Sequence, residues 1–269
     1  MQNDEGHSAT WVKECNAKAV DLKKAMARFC ANHLVEYGNR LQVGSGTTFN
    51  YLMDQLLERQ QGDRPLDLVL LTTNLTVMQK GRDARLDQGG LFNSMQIILT
   101  GGALQPSLHS LVGTFAAQGV STGVIIPDIV FVGAAGLSFA GGAVHVTYQF
   151  EEELSTQVAY ATRRTNHRIL LCDHTKLGKD QGWRANITMG SMLKEAEICT
   201  FITSLPDDDD GPAQESVDRE AKAFEELLKN AAGSREFHDK DIRLWFINKD
   251  GENKRSLQLS DVRKKEDHA

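Results

Sequence analysis

Apolar and polar positions in the first third of the chain follow two rhythms. Leu22, Ala25, Met26, Phe29, Cys30, His33 and Leu34 recur at helical spacing, while Lys23, Lys24, Arg28 and Asn32 take the opposite face. That is the pattern of an amphipathic helix whose polar side meets water. Gly38, within Tyr37-Gly38-Asn39, is placed to cap its C-terminal end. The rhythm then shortens. Runs rich in Val, Ile and Leu predict strands at Arg40–Val43, Leu66–Leu71, Met95–Thr100, Asp128–Val132, Arg168–Cys172 and Ile198–Thr203. Helical stretches alternate with them at Phe49–Arg59, Leu75–Gly81 and Leu154–Arg164. Strands this apolar, alternating with helices, predict an α/β fold: a mainly parallel sheet flanked by helices on both faces.

The pattern breaks at Leu205-Pro206-Asp207-Asp208-Asp209-Asp210-Gly211-Pro212. Consecutive carboxylates between prolines read as a solvated linker rather than a metal site. A helix over Val217–Leu228 follows, then strand-like segments Ile242–Asn248 and Ser256–Leu259 with Asp250-Gly251 as the turn, and a charged tail from Val262. The expected organisation is a polar tail (1–17), a main α/β domain (18–204), an acidic linker (205–216) and a small C-terminal α+β extension (217–269).

Composition narrows the class. The net charge of −6 over 269 residues argues against a chain devoted to nucleic acid. No apolar run approaches the roughly 20 residues needed to cross a bilayer, and Met1–Thr10 lacks a signal-peptide apolar core. A cytoplasmic protein with no membrane or direct nucleic-acid partner is expected. Cys15, Cys30, Cys172 and Cys199 show no CxxC pairing, so they read as small buried hydrophobes in a reducing compartment. His109 and His145 have no ligand partner at metal spacing and read as structural or exposed. No metal or other cofactor is implied.

The chemistry gathers where strands end. Gly44-Ser45-Gly46-Thr47-Thr48 follows Val43, and Thr72-Thr73-Asn74 follows Leu71. Thr100-Gly101-Gly102, Gly133-Ala134-Ala135-Gly136 and Asp173-His174-Thr175-Lys176 follow Leu99, Val132 and Cys172. Open α/β sheets bind ligands beyond the carboxyl ends of their strands. Gly44–Thr48 combines close backbone approach, hydroxyl donors and the N–H groups of a following helix, a recipe for an anion such as phosphate. Its alternative is a plain turn capped by Thr47 or Thr48. Lys176 is either a cation for the ligand or a solvent-facing loop lysine. Asp173 and His174 either carry protons or, for Asp173, cap the next turn. Glu151-Glu152-Glu153, ahead of a helix, read as acids favoured by the helix dipole, with one of them alternatively an acceptor for sugar hydroxyls.

In their order these motifs resemble the C-terminal effector-sensing domain of DeoR-type sugar-metabolism repressors. The likeness runs through Val43–Thr48, Thr73-Asn74, Leu99–Gly102, Leu111–Gly113, Asp128–Gly136, Leu170–Lys176 and Phe201–Thr203, spanning Lys18 to Ser204. It implies a fold similar to ribose-5-phosphate isomerase, glucosamine-6-phosphate deaminase (NagB) and CoA transferases. It also implies a phosphosugar effector cradled by Gly44, Ser45, Gly46, Thr47 and Thr48, a cleft lined further by Thr73, Asn74, Gly101, Gly102 and Lys176, and self-association into a homo-oligomer. Three departures qualify it. The polar residues 1–17 cannot hold the winged helix-turn-helix of such repressors. The acids usual at the positions of Ala135 and of Gln42 or Val43 are absent. The segment beyond 204 lies outside the pattern. The expected function is therefore a sensor of a phosphorylated sugar without its own DNA-binding domain. The alternatives are a sugar-phosphate isomerase or deaminase using Asp173, His174 and Glu153, with Lys176 as electrostatic stabiliser, and a protein-interaction module with a vestigial cleft.

Overall fold

The computed structural model describes residues 19–61, 65–87, 95–123, 125–179, 182–207 and 210–266. The first half runs α1 (Val20–His33), β1 (Arg40–Val43), α2 (Thr47–Gln60), β2 (Val69–Thr72), α3 (Leu75–Asp87), β3 (Gln96–Leu99), β4 (Ala103–Gln105), β5 (Ser110–Val112), α4 (Gly113–Thr122) and β6 (Ile129–Gly133). The second half runs β7 (Gly136–Ser138), β8 (His145–Tyr148), α5 (Leu154–Thr162), β9 (His167–Leu171), β10 (Trp183–Ala185), α6 (Met189–Leu193), β11 (Ile198–Ser204), α7 (Gly211–Ala232), β12 (Asp241–Ile247), β13 (Asn253–Gln258) and α8 (Leu259–Glu266).

The apolar runs assemble into an eight-stranded sheet in the order β13-β12-β11-β9-β6-β1-β2-β3. Every neighbouring pair is parallel except β12 with β13. Alternation along each strand sorts side chains between two cores. Leu41, Val43, Ile129, Phe131, Ile169 and Leu171 pack with Met26 and Phe29 of α1 and Phe49 and Leu52 of α2. Val130, Val132, Leu170, Cys172 and Phe201 pack on the other face with α4, α5 and α7. Both faces are covered, which is why these strands carry no polar alternation. The expected mainly parallel α/β architecture is the one observed.

The structure corrects several local expectations. Gly38 does not cap α1: the helix closes at Leu34, whose N–H donates to Cys30 O at 3.0 Å, and Gly38 (φ +76°) turns the chain into β1. Helix α7 begins at Gly211, inside the span expected as linker, because the Asp210 carboxylate accepts from Ala213 N (3.2 Å) and Pro212 opens the first turn. Strand β12 then pairs with β11 over seven residues, so the C-terminal segment continues the main sheet. The charged tail is helical to Glu266. Cys30, Cys172 and Cys199 are buried; Cys15 lies outside the described residues.

Short strands absent from the sequence reading complete the molecule. A β4–β5 hairpin is tied to the end of β2 by Leu111 N donating to Thr73 O (2.9 Å) and by Ser110 Oγ donating to the same carbonyl (3.0 Å). A three-stranded sheet, β10-β8-β7, packs with the core of α4, α5 and α7. Both project beyond the carboxyl ends of the central strands and wall the space there.

Candidate functional site

A cleft of about 540 Å³ opens beyond the carboxyl ends of β1, β6 and β9. Its lining draws on the loops after β1, β2, β6 and β9, on the turn between β4 and β5, and on Tyr148 at the end of β8.

The β1–α2 loop forms one wall. Gly46 is the N-cap of α2, at φ +128° and ψ 152°, and no side chain caps the helix there. The alternative of a turn capped by Thr47 or Thr48 is thereby removed. The Phe49 N–H donates to Gly46 O (3.2 Å), while the N–H groups of Gly46, Thr47 and Thr48 ahead of it have no intrahelical acceptor, and all three residues line the cleft. Beside them Ser45 is locked: its hydroxyl donates to Glu153 Oε1 (3.1 Å) and accepts from Gln157 Nε2 (2.6 Å). Glu153 occupies the N-cap position of α5 without capping it, so the acid expected at a helix start turns into the cleft instead. Burial pushes its carboxyl up to about 6, against the lowering effect of the Ser45 hydrogen bond.

Cations come from two directions. Lys23 is 2 % exposed and lines the cleft from α1, which overturns its assignment to the solvent face of that helix. Lys176 Nζ lies 3.6 Å from Asp173 Oδ2 and 3.3 Å from the carbonyl of Ala134. Asp173 is buried, sits at the N-cap of the turn His174–Lys176, and accepts a hydrogen bond from the Thr175 hydroxyl. Ala135 presents only a methyl group to the cleft; its N–H is committed to Thr147 O at 2.9 Å.

Of the residues named from sequence, Ser45, Gly46, Thr47, Thr48, Asn74, Lys176, Asp173 and Glu153 line this space. Others are not brought to it. Gly44 lies behind the loop, its N–H donating to Phe131 O (3.1 Å). Thr73 is buried, its N–H donating to the Tyr160 hydroxyl at 3.1 Å. Gly101 and Gly102 serve the β4–β5 hairpin: a side chain on Gly102 would meet Ala116 Cβ at 2.7 Å. His174 turns to Ser204, with Nδ1 3.0 Å from its Oγ, and burial lowers its pKa. Asn74 reaches the cleft while its Oδ1 accepts from Thr76 N (2.9 Å) and Val77 N (3.2 Å), capping α3.

Lys23, His109, Tyr148, Gln157 and Lys179 line the cleft without having been identified from sequence as cleft residues. Gln157 carried a signal, standing four residues after Glu153 on one helical face. His109 is exposed, within the structural-or-exposed role expected of it, and the hairpin's ties to β2 also carry the Ser107–His109 turn over the cleft. Among the described residues no group of His, Cys, Asp and Glu could hold a metal ion, and no helix is long and apolar enough to cross a membrane.

A family model described as the DeoR C-terminal sensor domain matches residues 18–189. No protein of curated function matches the chain in sequence. Similar solved structures include ribose 5-phosphate isomerase from Plasmodium falciparum, at 16 % identity and TM-score 0.40, covering 59 % of this chain and 53 % of that one. Ribose 5-phosphate isomerase A from Methanocaldococcus jannaschii aligns at 14 % identity and TM-score 0.41, covering 60 % and 55 %. The eIF2B beta structure from Chaetomium thermophilum aligns at 15 % identity and TM-score 0.37, covering 63 % and 47 %. The chain thus spans about half the length of each of these structures.

Proposed function

Because the chain belongs to the family of DeoR C-terminal sensor domains, we propose that its cleft senses a phosphorylated sugar, with the phosphate held at the N-terminus of α2. The observation that carries this reading is the uncapped start of α2 at Gly46, opening onto a cleft that also receives the buried Lys23. A helix N-terminus carries about half a positive charge and several free N–H donors. Lysine adds a point charge suited to phosphate.

A second reading, proton transfer on the same ligand, draws on Glu153, a buried carboxyl poised near 6 inside the cleft. Against it stand the methyl group of Ala135 and the turning away of His174.

The test is a thermal-shift screen with ribose 5-phosphate, glucose 6-phosphate and fructose 6-phosphate. A specific ligand at a hundredfold excess over Kd adds about 2.7 kcal/mol of stability. Absence of any shift across a broad phosphosugar panel would overturn the reading. NMR of the recovered sugar separates the two readings: a sensor returns it unchanged.

A further inference from the structure

Between Asp87 and Asp128 the chain carries no Lys, Arg, Asp or Glu, in a sequence that is 25 % charged. Burial does not account for this. Leu104 is 57 % exposed, Phe115 78 % and Leu99 38 %, and Thr114 and Gln118 are exposed as well. The elements this segment supplies, β3, the β4–β5 hairpin and α4, adjoin at one end of the molecule. A side chain on Gly102 would meet Ala116 Cβ of α4 at 2.7 Å and Leu111 Cβ of β5 at 3.2 Å. One on Gly119 of α4 would collide with the Thr100 carbonyl just after β3. The result is an uncharged surface with large exposed apolar side chains, a combination that monomeric proteins keep small.

The same end leaves a strand edge open. The eight-stranded sheet stops at β3, and among the described residues no strand pairs with its outer side. Gln96 and Thr100 donate their N–H groups to the carbonyls of Leu68 and Thr72, at 2.8 and 3.2 Å. Alternation along the strand therefore turns the Ile97 and Leu99 N–H groups away from β2. The opposite edge, β13, carries Lys254 and Arg255, and charge on an edge strand blocks pairing with another chain. Strand β3, Gln96-Ile97-Ile98-Leu99, has none.

We infer that this end is a self-association surface. Two copies meet about a two-fold axis, their β3 strands pair antiparallel into one continuous sheet, and Leu104 and Phe115 of each copy are buried alongside. The charge pattern selects a second copy as the occupant. Near a two-fold axis each residue meets its own equivalent, so any charge there would face a like charge. Chains of net charge −6 repel one another, and at this end identical surfaces meet without that cost. A different partner would be chosen through complementary charges, and this surface offers none. The inference stands apart from what the cleft binds.

Sedimentation velocity over a concentration series, with amide hydrogen exchange at the same concentrations, tests it. The intact chain sediments as a dimer at micromolar concentration, and the Ile97 and Leu99 amides gain protection as the dimer forms. Phe115→Glu and Leu104→Lys each place like charges in the interface, one from each copy, and raise the dimer Kd at least about tenfold. Both positions are exposed in the single chain, and a folding failure in one variant leaves the other. A monomer throughout the series, absent or concentration-independent protection at Ile97 and Leu99, or a dimer that the folded variants leave intact overturns the inference.

Discussion

Two glycines with nearly the same φ have opposite surroundings. Gly46, after β1, has φ +128°; Gly102, after β3, has φ +126°. Both follow an apolar strand in a glycine-rich turn, and both sit where L side chains are strained. A Cβ on Gly46 would meet only the edge of the Phe49 ring, at 3.7 Å. On Gly102 it would press on Ala116 Cβ at 2.7 Å and Val112 O at 3.0 Å. One glycine leaves space for a ligand and the other leaves space for a hairpin. A glycine-rich turn at a strand end therefore signals close approach, without saying what approaches.

Substitution at the two positions should separate these roles. Gly46→Asp places a fixed negative charge and a side chain at the α2 terminus, and phosphosugar affinity should fall at least about a hundredfold, roughly 2.7 kcal/mol. Gly102→Ala should leave affinity within a factor of about two while lowering stability by about 2 kcal/mol, from strain and overpacking. Calorimetric titration beside urea denaturation measures both. Affinity lost in Gly102→Ala with stability unchanged would erase the contrast.

The cleft side has a further signature that the hairpin side lacks. The Glu153 carboxyl binds its proton up to about 6 in the folded protein, against 4.5 for an ordinary glutamate. Between those values the folded state holds more protons than the unfolded chain, so stability declines as pH rises through this window. The full cost, about 2 kcal/mol, applies above pH 6. Glu153→Gln should recover stability at neutral pH, with little change below about pH 4.5. A gain confined to acidic pH would contradict the assigned burial. The smallest effect is expected from Lys176→Ala, because its ammonium is shared with Asp173 and partly exposed. A loss of about tenfold in affinity is anticipated, read in the same titration; wild-type affinity would remove Lys176 from the site.

The sheet was legible because its strands are buried on both faces and so appear as unbroken apolar runs. Leu41–Val43, Ile129–Val132 and Ile169–Leu171 needed no alignment to find. The three-residue strands Ala103–Gln105, Ser110–Val112 and Gly136–Ser138 are too short to show a period, and they, with β8 and β10, build the rims. The place of the exposed His109 at the cleft was missed for that reason. Lys23 was misjudged because helical spacing reports which face a residue is on, and a long side chain near a helix end can follow a cavity that the spacing cannot see. The anion loop was readable as a type of turn, Gly101-Gly102 equally so, and only tertiary packing told them apart. The segment after the acidic run looked separable because carboxylates and prolines usually mark linkers. Here Asp210 and Pro212 start a helix that delivers β12 to the edge of β11.

Amide-proton NMR of the protein during titration with the tightest-binding sugar monophosphate tests the central claim most directly. Phosphate at the α2 terminus predicts that the Gly46, Thr47 and Thr48 amide protons show the largest downfield shifts, as free N–H groups take a charged acceptor, while Gly101 and Gly102 stay in place. Saturable binding that moves the Gly101–Gly102 amides and leaves Gly46–Thr48 unshifted would contradict it.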